Sequence, residues 1–205
     1  FVAQGASISG NESRGIHISQ KGRIFYIMSN QGEVIRYDLS TPNDFKTAKY
    51  VQELDIATNT KTTDFSISKD GTRLFGLDSG SDNDTPVLKT YSLSPAFDIE
   101  SATEIHSFAL SDDLGNSAAG VQTTRGVEFS QDGGEMFIIF MNGGDFTNNQ
   151  LHQFSLGKNY DVSTATHIGH HKIDYQVGAV NQIPTGFSFS TDGMKLFLLQ
   201  LQGGD

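Results

Sequence analysis

Ser190-Thr191-Asp192-Gly193-Met194-Lys195-Leu196-Phe197 repeats, with substitutions, three stretches that come before it. These are Ser68-Lys69-Asp70-Gly71-Thr72-Arg73-Leu74-Phe75, Ser130-Gln131-Asp132-Gly133-Gly134-Glu135-Met136-Phe137 and, one residue shorter, Ser19-Gln20-Lys21-Gly22-Arg23-Ile24-Phe25. In each, an alternating apolar run leads into Asp-Gly or Lys-Gly and a second apolar run leads out. Those dipeptides tolerate positive φ in a tight turn, so each stretch spells a β-hairpin. The first copy departs from the others in its Lys21-Gly22 and its shortened turn, which leaves its hairpin geometry open.

The repeat period follows from the turn glycines. Gly22 to Gly71 is 49 residues, Gly71 to Gly133 is 62 and Gly133 to Gly193 is 60. Spacings of this size belong to blade-like β repeats, whereas helical solenoid repeats are shorter and carry helical periodicity. Working outward from the hairpins, the first unit offers strands at Gly15 to Ser19, Arg23 to Ser29, Glu33 to Leu39 and Tyr50 to Ile56. The second offers Asp64 to Ser68, Arg73 to Asp78, Val87 to Leu93 and Glu104 to Leu110. The third offers Gly126 to Ser130, Glu135 to Met141, Gln150 to Leu156 and Thr166 to Tyr175, and the fourth Gly186 to Ser190 and Lys195 to Leu201.

Four strands per unit joined by short turns make a propeller blade. The expected fold is an all-β propeller of four-stranded antiparallel blades, about three and a half of them visible, as part of a larger propeller. Residues 1–205 read as a single propeller domain with repeat units of about 1–49, 50–102, 103–165 and 166–205. Phe1 to Ile8 read as an outermost strand completing a neighbouring blade. The slots that recur predict an interior of Ile16, Ile18, Phe25, Phe65, Ile67, Phe75, Val127, Phe129, Phe137, Phe187, Phe189 and Phe197.

Composition supports the class. The chain has 22 Gly, 4 Pro and a modest 36% hydrophobic content, which suits a turn-rich β protein better than a helical bundle. With no cysteine, a disulfide framework, a thiolate metal site and a Cys nucleophile are all ruled out. The net charge of −10 argues against nucleic-acid and anionic-membrane partners, which call for basic patches. Apolar runs such as Met136 to Met141 are too short to span a bilayer as a helix, so no membrane insertion is expected.

A second set of echoes follows the third strand of each unit: Tyr37-Asp38-Leu39-Ser40, Tyr91-Ser92-Leu93-Ser94 and Phe154-Ser155-Leu156-Gly157. Soon after come Phe45-Lys46-Thr47-Ala48, Phe97-Asp98-Ile99-Glu100-Ser101-Ala102 and Tyr160-Asp161-Val162-Ser163-Thr164-Ala165. Together with the Phe-Ser-x-Asp-Gly hairpin, the pattern resembles the propeller repeats of bacterial surface and bacteriophage virion proteins. In architecture it is similar to lactonase-like and WD-repeat propellers. The resemblance implies a non-enzymatic structural or binding module of a virion, such as a phage tail or fibre, or of a bacterial extracellular surface assembly. Its partners would be protein subunits or glycans. The alternative it leaves open is a lactonase-like hydrolase with a divalent metal in the central channel.

Loops after the second strands lie on one face of such a fold and are free to specialise. Asp145, Phe146, Asn148 and Asn149 are the candidate binding residues, since amides and an aromatic ring suit sugar hydroxyls or a neighbouring subunit. Asp78, Asp82 and Asp84 are the candidate calcium ligands, as closely spaced oxygens on a glycine-containing loop; no other cofactor is expected. No nucleophile elbow, phosphate loop or zinc-protease helix appears, so no catalytic residue is assigned. The slot shared by His17, Ser66, Glu128 and Ser188 falls on the innermost strand, near the central channel. The six histidines read as solvated or core-edge residues: His170 and His171 are adjacent and point to opposite faces, while His17, His106 and His152 fall in three different strands.

Overall fold

A computed structural model of the chain describes residues 13–56, 62–79, 85–110, 122–142, 149–173 and 182–202. The strands run β1 Ser13–Ser19, β2 Ile24–Ser29, β3 Glu33–Leu39, β4 Ala48–Asp55, β5 Thr62–Ile67, β6 Arg73–Asp78 and β7 Val87–Ser92. They continue as β8 Thr103–Ala109, β9 Gln122–Phe129, β10 Glu135–Asn142, β11 Gln150–Leu156, β12 Ala165–Lys172, β13 Gln182–Phe189 and β14 Leu196–Gln202. Among the described residues they form three four-stranded antiparallel sheets, each in simple up-and-down order, and one two-stranded sheet, β13–β14. The first strands of successive sheets, β1, β5, β9 and β13, lie side by side. Sheets arranged with their first strands innermost are the blades of a propeller, as expected. The strand proposed at Phe1 to Ile8 lies outside the described residues.

The hairpin signature owes its recurrence to local hydrogen bonding. The Ser68 hydroxyl donates to Asp70 Oδ1 at 2.6 Å and accepts from Arg73 N at 2.9 Å, and Asp70 Oδ1 also accepts from Thr72 N at 3.0 Å. Ser130/Asp132 and Ser190/Asp192 reproduce the arrangement. Gly71, Gly133 and Gly193 take positive φ, while the Asp before each contributes its carboxylate rather than a left-handed backbone. In the first unit Gln20, Lys21 and Gly22 all have positive φ, so the shorter turn closes by a different route.

That shortened turn slips the register by one. Tyr26 pairs with His17 as Phe75 pairs with Ser66, so Tyr26, not Phe25, occupies the Phe75 slot. Phe25 is buried on the opposite face, with Ile35, Tyr37 and Leu39. Tyr26 packs among Phe65, Ile67 and Leu74 of the second blade. Its hydroxyl donates to the Phe97 carbonyl at 3.0 Å, and Arg36 Nη1 donates to the same oxygen at 3.0 Å. Tyr26→Phe is expected to cost about 1 kcal/mol, because Arg36 still satisfies the carbonyl; a urea midpoint equal to the parent's would contradict it.

The second echo has a structural cause too. Asn43, Phe97 and Tyr160 sit at positive φ and cover the hairpin glycines, their N–H groups donating to Gly22 O, Gly71 O and Gly133 O at 2.8, 2.8 and 2.9 Å. A short 3-10 turn follows each, at Phe45–Thr47, Ile99–Ser101 and Val162–Thr164. Asp44 and Asp161 cap their own turns. Asp98 instead accepts from Gln52 Nε2 of the first blade at 2.6 Å, while Ile99 N donates to Gln52 Oε1.

Of the predicted interior, Phe65, Ile67, Phe75, Val127 and Phe25 are buried, and Phe129, Phe137, Phe187 and Phe189 are half-buried. Ile16, Ile18 and Phe197 are exposed, by 63, 45 and 60%. A blade has two faces. Ile16 and Ile18 lie on the face of the first sheet turned away from the second, and Phe197 on the face of β13–β14 turned away from the third. Elsewhere rings bridge the blades: Phe75 to Phe129 at 4.2 Å and Phe137 to Phe189 at 4.7 Å.

Each outer strand carries a bulge at the same slot. Val51, Ile105 and Ile168 are the extra residues, opposite the Arg36/Tyr37, Thr90/Tyr91 and Gln153/Phe154 steps. All three are exposed. Each bulge shifts the pairing by one, so the residues just before and just after it, two apart in sequence, fall on opposite faces of the sheet.

Candidate functional site

The innermost strands carry ionisable groups, and neighbouring blades engage them. The slot of Gly15, Asp64, Gly126 and Gly186 is glycine in every unit but the second. The Asp64 carboxylate lies against Gly15 of the first blade, where a Cβ would come within 2.8 Å of Oδ1. On its other side it accepts from Val127 N of the third blade at 2.9 Å. Burial there pushes its pKa up to about 7, against the pull of the Val127 and Phe65 N–H groups and with a contribution from Glu128. Glu128 repeats the device one blade on, its Oε2 accepting from Phe189 N at 3.0 Å. Burial raises its pKa as well, offset by that N–H and the Ser188 hydroxyl. His17 packs near Tyr26 and Phe65, with ring centroids 6.3 and 6.5 Å away, and burial lowers its pKa to about 4.

Asp78 is buried at the end of β6, whereas Asp82 and Asp84 lie outside the described residues. Asn149 is fully buried, its carbonyl accepting from Ile173 N at 2.9 Å. Asp145, Phe146 and Asn148 lie outside the described residues.

One cluster escaped the sequence reading. His152 on β11 pairs directly with His170 on β12, and Phe154 pairs with His167. The bulge at Ile168 puts His167 and His170 on one face although they are three apart, an odd spacing that a regular strand would split between faces. The ligand nitrogens of His152, His167 and His170 all lie within 4.8 Å of one another, on side chains that are buried, half-buried and exposed in that order. His152 Nδ1 is 3.1 Å from His167 Nε2, and His152 Nε2 is 3.0 Å from Gln150 Oε1. The His152 ring stacks on both other imidazoles at 5.1 Å and lies 4.6 Å from Phe140. Burial, then the neighbouring His167 and His170, lowers the His152 pKa to about 3. The legible signal was a β-branched apolar residue, Val51, Ile105 and Ile168, at one slot of the first three units; the structure makes that slot the bulge.

No family model matches the sequence, and no curated protein sequence does either. Solved structures do match. A Bacteroides uniformis protein provisionally assigned as a 6-phosphogluconolactonase superposes with TM-score 0.55 at 12% identity, covering 91% of this chain and 46% of its own. Kuenenia stuttgartiensis hydrazine synthase gives 0.59 at 14%, covering 92 and 50%. The β-propeller domain of Myceliophteria thermophila Cps50 (Swd1) gives 0.55 at 14%, covering 96 and 50%. The chain thus spans about half the length of these structures, and the likeness is one of fold.

Proposed function

We propose that this chain is part of a non-enzymatic binding propeller, a scaffold for contacts to protein subunits or glycans in an extracellular or virion-surface assembly. What supports the reading most is the use made of the inner-strand carboxylates. A hydrolytic channel needs carboxylates and imidazoles available to hold a metal or activate water. Asp64 and Glu128 instead accept backbone N–H groups of the next blade, and His17 is packed against aromatic rings. The acidic surface and the repeat's resemblance to surface and virion propellers favour the extracellular setting. Contacts would fall to the loops after the second strands, where Asp145, Phe146 and Asn148 offer an acid, a ring and an amide.

Replacing Asp145, Phe146 and Asn148 by Gly or Ser, with the buried Asn149 kept, tests this on a glycan array. The parent is expected to retain a defined set of sugars, and the variant to lose them with an unchanged melting temperature. Hydrolysis of a chromogenic lactone that disappears in Glu128→Gln would overturn the reading.

A further inference from the structure

We infer that His152, His167 and His170 form a binding site for one divalent first-row transition cation of the zinc class, clipping β11 to β12 on the side of the third blade that faces the second. The inference is independent of the surface role proposed above.

Comparison of blades at the same slots carries the argument. The positions of His152, His167 and His170 are filled in the second blade by Lys89, Glu104 and Ser107, and in the first by Ile35, Tyr50 and Glu53. In the second blade Lys89 Nζ and Glu104 form an ion pair at 3.5 Å; in the first, Ile35 is buried with Tyr50 packed against its cluster. Both are ordinary ways to close the outer half of a blade. Of the three four-stranded sheets among the described residues, the third alone places three imidazoles there, so packing alone does not account for them.

The geometry suits a metal. Two nitrogens each about 2.05 Å from a tetrahedral zinc lie about 3.3 Å apart, and His152 Nδ1 and His167 Nε2 are already 3.1 Å apart. His170 is exposed, so its ring is free to turn through the remaining gap without disturbing the core. Gln150 Oε1 accepts from His152 Nε2–H, which fixes the tautomer with the Nδ1 lone pair turned to the cluster. Phe140 and Phe154 wall the inner side, with Phe154 5.2 Å from the His167 ring. An all-imidazole set selects zinc, copper or nickel over calcium and magnesium, which require oxygen ligands. Three imidazoles leave a tetrahedral ion one position for water or an outside donor, and His170 lies on the exposed side of the cluster.

The test uses the untagged chain, stripped with a chelator and titrated with zinc chloride by calorimetry. One equivalent is expected to bind, calcium is expected to give no signal at the same concentrations, and cobalt is expected to give the visible absorption of a tetrahedral nitrogen site. His170→Gln and His167→Gln, both outside the core, each remove a ligand and are expected to weaken zinc by more than the roughly tenfold to a hundredfold that loss of an outer-shell partner costs. His171→Gln, on the opposite face of the same strand, is expected to leave affinity unchanged. Absence of stoichiometric binding, or an equal loss in His171→Gln, overturns the proposal.

Discussion

Asp64→Asn is expected to be more stable than its parent above pH 7, and to match it near pH 4. In the folded protein the Asp64 pKa stands at about 7, well above the ordinary carboxylate value of 3.8. The folded state therefore keeps a proton that the unfolded chain gives up. The contribution of Asp64 is complete below pH 3.8 and is lost as pH rises through 7, at about 1.4 kcal/mol per unit and about 4 kcal/mol in all. The substituted asparagine does not titrate and its amide oxygen still accepts from Val127, so about 2–4 kcal/mol should separate the proteins at pH 8. Glu128, raised in the same direction, adds to the parent's loss. His17 works in the opposite sense. Its pKa is depressed from 6.5 to about 4, so its contribution is full above pH 6.5 and lost as pH falls through 4. The two slopes oppose each other between pH 4 and 6.5, which flattens the parent's profile there. Asp64→Asn should expose the His17 slope. Denaturant melts of both proteins at pH 4, 6 and 8 decide it: a difference that does not grow with pH removes Asp64 from the account.

Gly133→Ala is expected to destabilise the protein by about 3 kcal/mol, of which the left-handed backbone alone accounts for about 1–2 kcal/mol. Gly133 has φ +76°, and a Cβ there would lie 2.4 to 2.6 Å from atoms of the Tyr160 ring. That ring cannot simply withdraw. Tyr160 N donates to Gly133 O, its hydroxyl donates to Gln131 O at 3.3 Å, and the same hydroxyl accepts from Lys69 N of the second blade at 3.4 Å. Gly193 is the internal control, because its φ is +70° and a Cβ there meets nothing within 4 Å. Gly193→Ala should show the backbone term alone. Equal losses in the two variants would mean that the aromatic cover contributes nothing.

What could be read in the sequence was whatever local chemistry repeats. Ser-x-Asp-Gly writes its own hydrogen bonds between near neighbours, so hairpins, blades and fold class were legible. What depends on insertion or deletion of a single residue was not. One residue fewer between Ser19 and Arg23 moved Tyr26 into the slot assigned to Phe25. One extra residue at Ile168 brought His167 and His170 together, where regular alternation sets them apart. Ile16 and Phe197 fit the apolar pattern because strands are patterned on both faces, but a pattern does not say which face a neighbour covers. Asp64 is a lone acid at a slot that is glycine in the other units, two residues before the slot of His17 and Glu128, and that contrast is legible in the sequence.

The bulges on β4, β8 and β12 matter beyond the residues they re-aim. Each of these strands is the outer edge of its sheet, with backbone groups on one side that no strand of its own blade pairs. A flat edge of that kind recruits other chains, and sheets lined up edge to edge grow into aggregates. The extra residue breaks the spacing of donors and acceptors at mid-strand, so an incoming strand cannot stay in register across it. Val51, Ile105 and Ile168 thus stand as exposed apolar residues where stickiness would be expected, on a backbone that denies a partner the ladder to exploit it. Copies of the chain brought edge to edge would meet without joining into one continuous sheet.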